Sequence, residues 1–170
     1  MDGAIGVAGC GRMGAPMLAA LREAGFAARG LDLRAPESYG PLAAAMTDDP
    51  AAFGAGLATL VTVVRDDAET EAVLFGAGLA DLPGLRRVVL CSTLSPRYVA
   101  GVRGRLPSPV GLVDAPMSGA PIGAEERRLT FMVGGETAEV AALRPLFEAM
   151  GRRVFHLGPL GAGAQAKVLN

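Results

Sequence analysis

The chain has 170 residues, of which 51% are hydrophobic and 19% are charged, the composition of a single folded domain. Its 16 basic and 17 acidic residues give a formal net charge of −1, so it lacks the excess positive charge that nucleic acids and anionic membranes attract. Two isolated cysteines and one histidine disfavour a disulfide framework and a metal site. Because no basic leader and no apolar run of about 18 residues is present, we expect a cytoplasmic protein without a membrane segment.

The first thirty residues predict a strand, a glycine-rich turn, a helix and a second strand. Residues 4–8 form a short apolar run, residues 15–24 carry apolar side chains at helical spacing, and residues 27–33 form another apolar run. Gly25 ends the helix. This order predicts a βαβ unit of about thirty residues.

The same alternation continues along the rest of the chain. We predict further strands at 58–64, 87–91, 111–115, 129–133 and 153–157, and helices at 67–75, 96–104, 137–150 and after a glycine-rich turn at 161–163. A parallel neighbour is reached through a crossover, so strands interleaved with helices predict parallel pairing. The predicted fold class is α/β, with a Rossmann-type doubly wound, mostly parallel sheet.

Three glycines with Rossmann spacing lie between the first predicted strand and helix. Gly9 permits a tight turn, Gly11 lets a pyrophosphate approach the backbone, and Gly14 allows close packing of helix and strand. Free N–H groups at the start of the helix meet the phosphates. The sequence therefore predicts dinucleotide binding at this turn.

The end of the second predicted strand bears on the choice of cofactor. Asp32 there would accept hydrogen bonds from the adenosine ribose and repel a 2′-phosphate, which favours NAD. Arg34 is able to pair with a 2′-phosphate or to stack on adenine, and the simplest alternative is a solvated loop residue. NAD is the preferred cofactor, and NADP remains the alternative.

The chain has a single lysine, Lys167, among its 16 basic residues. A lysine amine exchanges a proton near neutral pH when it is desolvated, whereas an arginine does not. Lys167 is therefore a candidate acid and base, with an ordinary surface lysine as the alternative.

Four segments stand out in order along the chain: residues 9–17, 91–96, 114–120 and 161–167. Together they resemble the signature blocks of the β-hydroxyacid dehydrogenase family, which includes 3-hydroxyisobutyrate and 6-phosphogluconate dehydrogenases. The resemblance runs the whole length of the chain, and four ordered blocks are more specific than any one of them.

The resemblance implies roles for individual residues. Lys167 matches the catalytic lysine, and Asn170 looks like the first member of an Asn-Asn pair that contains the catalytic asparagine. Ser118 and Gly119 match the block that holds the substrate carboxylate, although they also suit a simple turn. The implied cofactor-binding residues are Gly9, Gly11, Arg12, Met13, Gly14, Asp32, Arg34, Val64, Arg65 and Thr93. Thr93 would also contact the substrate; its alternative role is to cap the helix that opens at Pro96.

The chain departs from the family pattern at several places. Ala120 and Arg127 stand where family members usually carry glycine, and both changes affect the substrate loop. Asn170 lies three residues after Lys167, whereas the family's catalytic asparagine lies four residues after the lysine. The family's helical domain, which closes the active site and makes dimer contacts, is not in this sequence.

The resemblance implies an NAD(P)-dependent oxidoreductase that acts on a small β-hydroxy acid or the matching semialdehyde. We expect a dinucleotide-binding domain at 1–160, the start of an interdomain helix at 161–170, and little turnover by this chain alone. A homodimer would require the helical domain. Two alternatives are an imine reductase-like enzyme, which Lys167 disfavours, and a dinucleotide-binding module without turnover.

Overall fold

The computed structural model describes residues 3–170. Within them, the strands are β1 (Ala4–Ala8), β2 (Ala28–Leu31), β3 (Met46–Thr47), β4 (Leu57–Thr62), β5 (Arg87–Leu90), β6 (Gly111–Asp114), β7 (Met117–Ser118), β8 (Leu129–Gly134) and β9 (Gly151–Gly158). The α-helices are α1 (Gly14–Glu23), α2 (Pro50–Gly54), α3 (Asp67–Glu71), α4 (Pro96–Arg105), α5 (Ala120–Glu125), α6 (Thr137–Met150) and α7 (Ala162–Leu169).

All these strands join one sheet, in the order β3-β2-β1-β4-β5-β6-β8-β7, with β9 paired to β8. The six strands from β3 to β6 are parallel, and β8 runs antiparallel to β6 and β7. The order reverses between β1 and β4, and in open α/β sheets the carboxyl ends of the two strands at such a reversal border the crevice in which ligands bind. The predicted fold class, a doubly wound and mostly parallel sheet, is confirmed.

Helices cover both faces of the sheet, and each face has its own hydrophobic core. One core contains Leu18 of α1 and Phe147 of α6, while the other contains Phe53 of α2 and Val99 of α4. All six residues of β4 are buried, because a central parallel strand has helices on both sides. This packing holds the carboxyl ends of the strands in fixed positions.

The structure departs from the predicted elements in four places, one of which is an unpredicted 3-10 turn at Leu79–Asp81. The segment between β2 and β4, for which no element was expected, forms a 3-10 helix at Pro36–Ala45 that is kinked at Gly40, followed by β3 and α2. The helix predicted at 67–75 consists of α3 and a π-helical turn at Ala72–Gly76. The short elements β7 and α5 were also not predicted.

Among residues 3–170, no helix combines the length and the apolar character that crossing a lipid bilayer requires.

Candidate active site

The predicted site residues follow the carboxyl ends of parallel strands. The glycine turn follows β1, Asp32 follows β2, Val64 follows β4, Thr93 follows β5 and Ser118 lies beyond β6. Parallel strands end at one edge of a sheet, so the fold brings these segments to the same edge, beside the crevice between β1 and β4.

The three glycines of the first turn have different surroundings. Gly9 has φ +92°, and a Cβ there would lie 2.7 Å from the Val63 carbonyl oxygen. A Cβ on Gly14 would overlap the Gly9 carbonyl oxygen, whereas a Cβ on Gly11 would have no atom within 4 Å. Gly9 and Gly14 are therefore needed for packing, and Gly11 borders open space.

The start of α1 faces this open space. Among the described residues, no side chain caps its first turn, and the turn contains no acidic residue. The amides of a helix start favour an anion, and the missing Cβ at Gly11 leaves room for one. These residues fit the pyrophosphate of a dinucleotide.

Arg34 forms a network at the end of β2. Its backbone N–H donates to Asp32 Oδ1 at 3.1 Å, and its Nη2 donates to the Cys10 carbonyl oxygen at 2.7 Å and to Tyr39 Oη at 2.8 Å. The guanidinium also lies over the Tyr39 ring, 4.6 Å from its centroid. Arg34 is thus an exposed side chain that these contacts hold at the end of β2. Burial raises the pKa of the Tyr39 hydroxyl to about 12, and Asp32 adds to this effect.

Ser92 fixes the turn after β4. Its buried Oγ accepts a hydrogen bond from the Val64 N–H at 3.1 Å, and the Val63 N–H donates to the Ala8 carbonyl oxygen at 2.8 Å. The next residue, Arg65, donates its backbone N–H to Glu69 Oε2 at 2.9 Å and pairs with the same carboxylate through its side chain. The turn is thus held beside the end of β1. Ser92 lies in the second family-like block, but sequence reasoning gave it no role.

Of Thr93 and Ser95, which both follow β5, only Ser95 caps the next helix. Ser95 caps α4, because its Oγ accepts a hydrogen bond from the Tyr98 N–H at 3.1 Å. The alternative in which Thr93 caps this helix is therefore wrong. Thr93 is exposed at the carboxyl end of β5.

Ser118 and Gly119 form the junction between β7 and α5. Ser118 is half-buried in β7 and pairs with Thr130 of β8. Gly119 follows with φ +138° and precedes the first residue of α5. The segment is therefore a strand end joined directly to a helix start.

Ala120 and Arg127 are the two non-glycine residues with positive φ among residues 3–170, each at φ +54°. They are also the two positions where the family pattern has glycine. Arg127 follows α5, and the Arg127 and Arg128 N–H groups donate to Ala124 O at 3.2 Å and Gly123 O at 2.7 Å. This is the Schellman closure, in which glycine is the preferred left-handed residue.

Lys167 lies half-buried on α7, and Asn170 is the exposed residue that ends this helix. The buried Asp114 carboxylate at the end of β6 accepts hydrogen bonds from the Gly161 and Ala164 N–H groups, both at 2.7 Å. Burial raises the pKa of Asp114, although these backbone hydrogen bonds act in the opposite direction. Sequence reasoning gave Asp114 no role; an acidic residue at the end of a buried strand was the available signal.

The two cysteines are buried thiols, and the histidine ring lies against backbone carbonyl oxygens. Burial raises the pKa of the Cys10 and Cys91 thiols to about 12, so neither is a ready thiolate. His156 Nε2 lies 2.9 Å from the Gly135 carbonyl oxygen and 3.1 Å from that of Gly158. In the described part of the chain, no group of three His, Cys, Asp or Glu residues is placed to hold a metal ion.

The sheet order and the glycine turn define an α/β dinucleotide-binding domain. Residues 4–158 match the family model described as the NAD binding domain of 6-phosphogluconate dehydrogenase. The chain belongs to the β-hydroxyacid dehydrogenase family and corresponds to its N-terminal NAD-binding domain.

The chain is also similar in sequence and in structure to individual dehydrogenases. The chain is 37% identical to the NAD-dependent L-serine dehydrogenase of Pseudomonas aeruginosa, over 95% of this chain and 56% of that protein. The structure of Mycobacterium tuberculosis 3-hydroxyisobutyrate dehydrogenase with L-serine is 30% identical, with a TM-score of 0.86, and the match covers 100% of this chain and 59% of that one. The chain thus spans somewhat more than half the length of these relatives.

An imine reductase from Myxococcus stipitatus shares the fold. Its structure matches with a TM-score of 0.85 at 18% identity, over 99% of this chain and 60% of that one. At this identity the likeness concerns the fold alone.

Proposed function

We propose that this chain is the cofactor-binding part of an oxidoreductase that transfers hydride between a nicotinamide dinucleotide and a small β-hydroxy acid or the matching semialdehyde. The observation that carries the proposal is that one edge of the sheet holds both the open space at Gly11 and the strand end to which the helix of Lys167 is bound. A dinucleotide in the crevice would extend along this edge towards that helix. Residues 161–170 would begin the helix that leads to a second domain, as the greater length of the relatives suggests.

The last three family-like blocks supply the residues of the proposed reaction, and the first binds the cofactor. A bound nicotinamide would accept hydride from the substrate carbon in oxidation and return it in reduction. Lys167, in its neutral form, would remove the proton from the substrate hydroxyl in oxidation and give it back in reduction. The Ser118 hydroxyl and the Gly119 N–H would bind the substrate carboxylate, and Thr93 would lie between substrate and nicotinamide. Asn170 would assist at the end of the same helix.

NAD is the cofactor that the end of β2 favours. Asp32 would accept hydrogen bonds from the ribose hydroxyls and repel a 2′-phosphate. Arg34, the residue able to offset that repulsion, already donates to Cys10 O and Tyr39 Oη. These hydrogen bonds hold the guanidinium at the end of β2 through Nη2, so a 2′-phosphate would have to meet Arg34 in this position or draw it away from Cys10 and Tyr39.

The relatives support a substrate of the size of L-serine or 3-hydroxyisobutyrate, the compounds in their names. A dinucleotide-binding module without turnover is the less favoured function. Such a module needs only the glycine turn and Asp32, and gains nothing from Lys167 on a helix bound to the same edge.

Binding of NADH to the parent chain and to Gly11→Val tests the cofactor site. The valine side chain would fill the space beside α1, so we expect the variant to fold normally and to lose at least about tenfold in affinity. Gly101→Val in α4 is the matched control, because a Cβ there also has no atom within 4 Å and Gly101 lies outside the glycine turn. Equal NADH affinity in the parent and in Gly11→Val would refute the site.

Lys167→Arg tests the chemistry in a protein that carries this domain and turns over L-serine or 3-hydroxyisobutyrate. Arginine keeps the charge but does not release its proton, so we expect turnover to fall by several orders of magnitude while NADH affinity stays within about twofold. If Lys167→Arg kept more than about a tenth of parental turnover from pH 6 to 10, Lys167 would not be the acid and base.

A further inference from the structure

Asp114 connects the sheet to the helix that carries Lys167. Asp114 is only 1% exposed. Its two carboxylate oxygens accept separate hydrogen bonds, Oδ1 from the Gly161 N–H and Oδ2 from the Ala164 N–H. Among the described residues, α7 has no side-chain cap from its own N-cap position, which is Gly161 at φ +92°. The acceptor for its first turn therefore comes from a strand 47 residues earlier in the chain.

Two glycines leave the room that this connection needs. A Cβ on Gly163 would overlap the Met132 carbonyl oxygen and lie 2.9 Å from Asp114 Oδ2. A Cβ on Gly134 would lie 2.5 Å from Asp114 Oδ1 and 2.8 Å from the Ala162 nitrogen. The glycine at the third position of the Gly-x-Gly segment thus serves the close approach of α7 to the ends of β6 and β8.

The two hydrogen bonds fix more of the helix than an ordinary cap does. A cap from the adjacent sequence satisfies the first N–H groups but does not itself connect the helix to the sheet. Asp114 instead belongs to β6, and it binds α7 at two points three residues apart, Gly161 and Ala164. Lys167 lies a further three residues on, less than one turn of about 3.6 residues. The attachment to β6 therefore acts together with the packing of α7 against β8, β9 and α4 to set the height and the rotation of Lys167 above the sheet edge.

We propose that Asp114 is the positioning residue of this site, which anchors α7 to the end of β6 and thereby sets the position of the Lys167 amine. This inference rests on the acid and base role proposed for Lys167. Asp114 acts through the helix backbone and has no part in the proton transfer itself. Its carboxylate is suited to the task because it accepts from two amides at once and lies at the positive end of the helix dipole.

The single lysine makes the proposal directly measurable. In a chain labelled with ¹³C-lysine, the side-chain methylene signal belongs to Lys167 alone, and amide hydrogen exchange reports separately on residues 162–169. The variant is Asp114→Asn, which keeps the side-chain volume but leaves one oxygen as acceptor. The matched control is Asp49→Asn, which weakens the cap of α2, where Asp49 accepts from the Ala51 N–H at 2.9 Å.

We expect Asp114→Asn to bind NADH within about twofold of the parent while the amides of α7 exchange about tenfold faster. We also expect NADH to shift the Lys167 signal in the parent and in Asp49→Asn, and to leave it unshifted in Asp114→Asn. Unchanged α7 exchange and an unchanged Lys167 response in Asp114→Asn would overturn the positioning role. A parent whose Lys167 signal ignores bound NADH would count against the proposed function instead, and α7 exchange would still decide the role of Asp114.

Asp114→Ser provides a second variant with a smaller side chain that still accepts one hydrogen bond. The same pattern in this variant supports the proposal. If both variants lost NADH binding or unfolded, Asp114 would hold the whole domain together rather than α7, and the proposal would be withdrawn.

Discussion

Ala120→Gly is expected to stabilise the protein. Ala120 has φ +54°, a left-handed conformation that an alanine Cβ disfavours and a glycine adopts readily. The side chain is exposed, so its removal costs little buried apolar surface. The substitution therefore relieves backbone strain next to Ser118 and Gly119 without opening a cavity.

The magnitude follows from two opposing contributions. A non-glycine residue in the left-handed region costs about 1–2 kcal/mol, and glycine loses about 0.5–1 kcal/mol more chain entropy on folding than alanine does. The difference predicts a gain of about 0.5–1 kcal/mol in the free energy of unfolding. For a domain of this size, the melting temperature should rise by roughly 1–4 °C.

The control is the same substitution at an exposed alanine of regular helix. Ala141→Gly in α6 should lower the free energy of unfolding by about 1 kcal/mol, because only the entropy cost of glycine remains there. Urea unfolding followed by circular dichroism measures both variants against the parent. If Ala120→Gly were destabilised as much as Ala141→Gly, the assignment of a strained backbone at residue 120 would be refuted.

Three further predictions follow from the described contacts. Arg127→Gly should be more stable than Arg127→Ala by about 1 kcal/mol in urea unfolding, since both lose the same side-chain contacts and only glycine relieves the left-handed φ; equal stability would contradict this. Tyr39→Phe removes one acceptor from Arg34, so NADPH affinity should rise several-fold relative to NADH in binding titrations, and an unchanged ratio would show that the tyrosine hydroxyl does not restrain the guanidinium. Burial raises the thiol pKa of Cys10 and Cys91 from 9.0 to about 12, so folding favours the protonated thiols, and their contribution to stability is complete below pH 9 and is lost as the pH rises towards 12. Urea unfolding at pH 8 and pH 10 should therefore show a smaller loss of stability in a Cys10→Ala, Cys91→Ala variant than in the parent, and equal losses would exclude the thiols as its source.

The fold and the cofactor turn were predictable because their signals are local. The glycines at 9, 11 and 14 stand between an apolar strand and an amphipathic helix, and this pattern needs only nearby residues. The strands, the helix and the glycine turn depend on a few consecutive residues, which a single sequence displays. The left-handed backbone at Ala120 and Arg127 was not predicted, although both positions were noted as departures from the family's glycines.

The remaining features depend on contacts between distant segments. Asp114 meets the start of α7 across about fifty residues of sequence, and Arg34 meets the Cys10 carbonyl oxygen across 24. No periodicity reports such a pairing. The segment between β2 and β4 was missed for a different reason, since Gly40 and Pro41 interrupt any helical pattern there.

The central position of β1 has a consequence for synthesis of the chain. β1 is made first, yet it pairs with β2 on one side and with β4, about fifty residues later, on the other. During translation, β1 and β2 leave the ribosome before β4, so the side of β1 that later receives β4 is an open strand edge in the nascent chain. Open edges of this kind pair readily with other strands, and nonlocal parallel pairing is slow to form. The open edge of β1 therefore favours non-native strand pairing in the nascent chain until β4 is available to cover it.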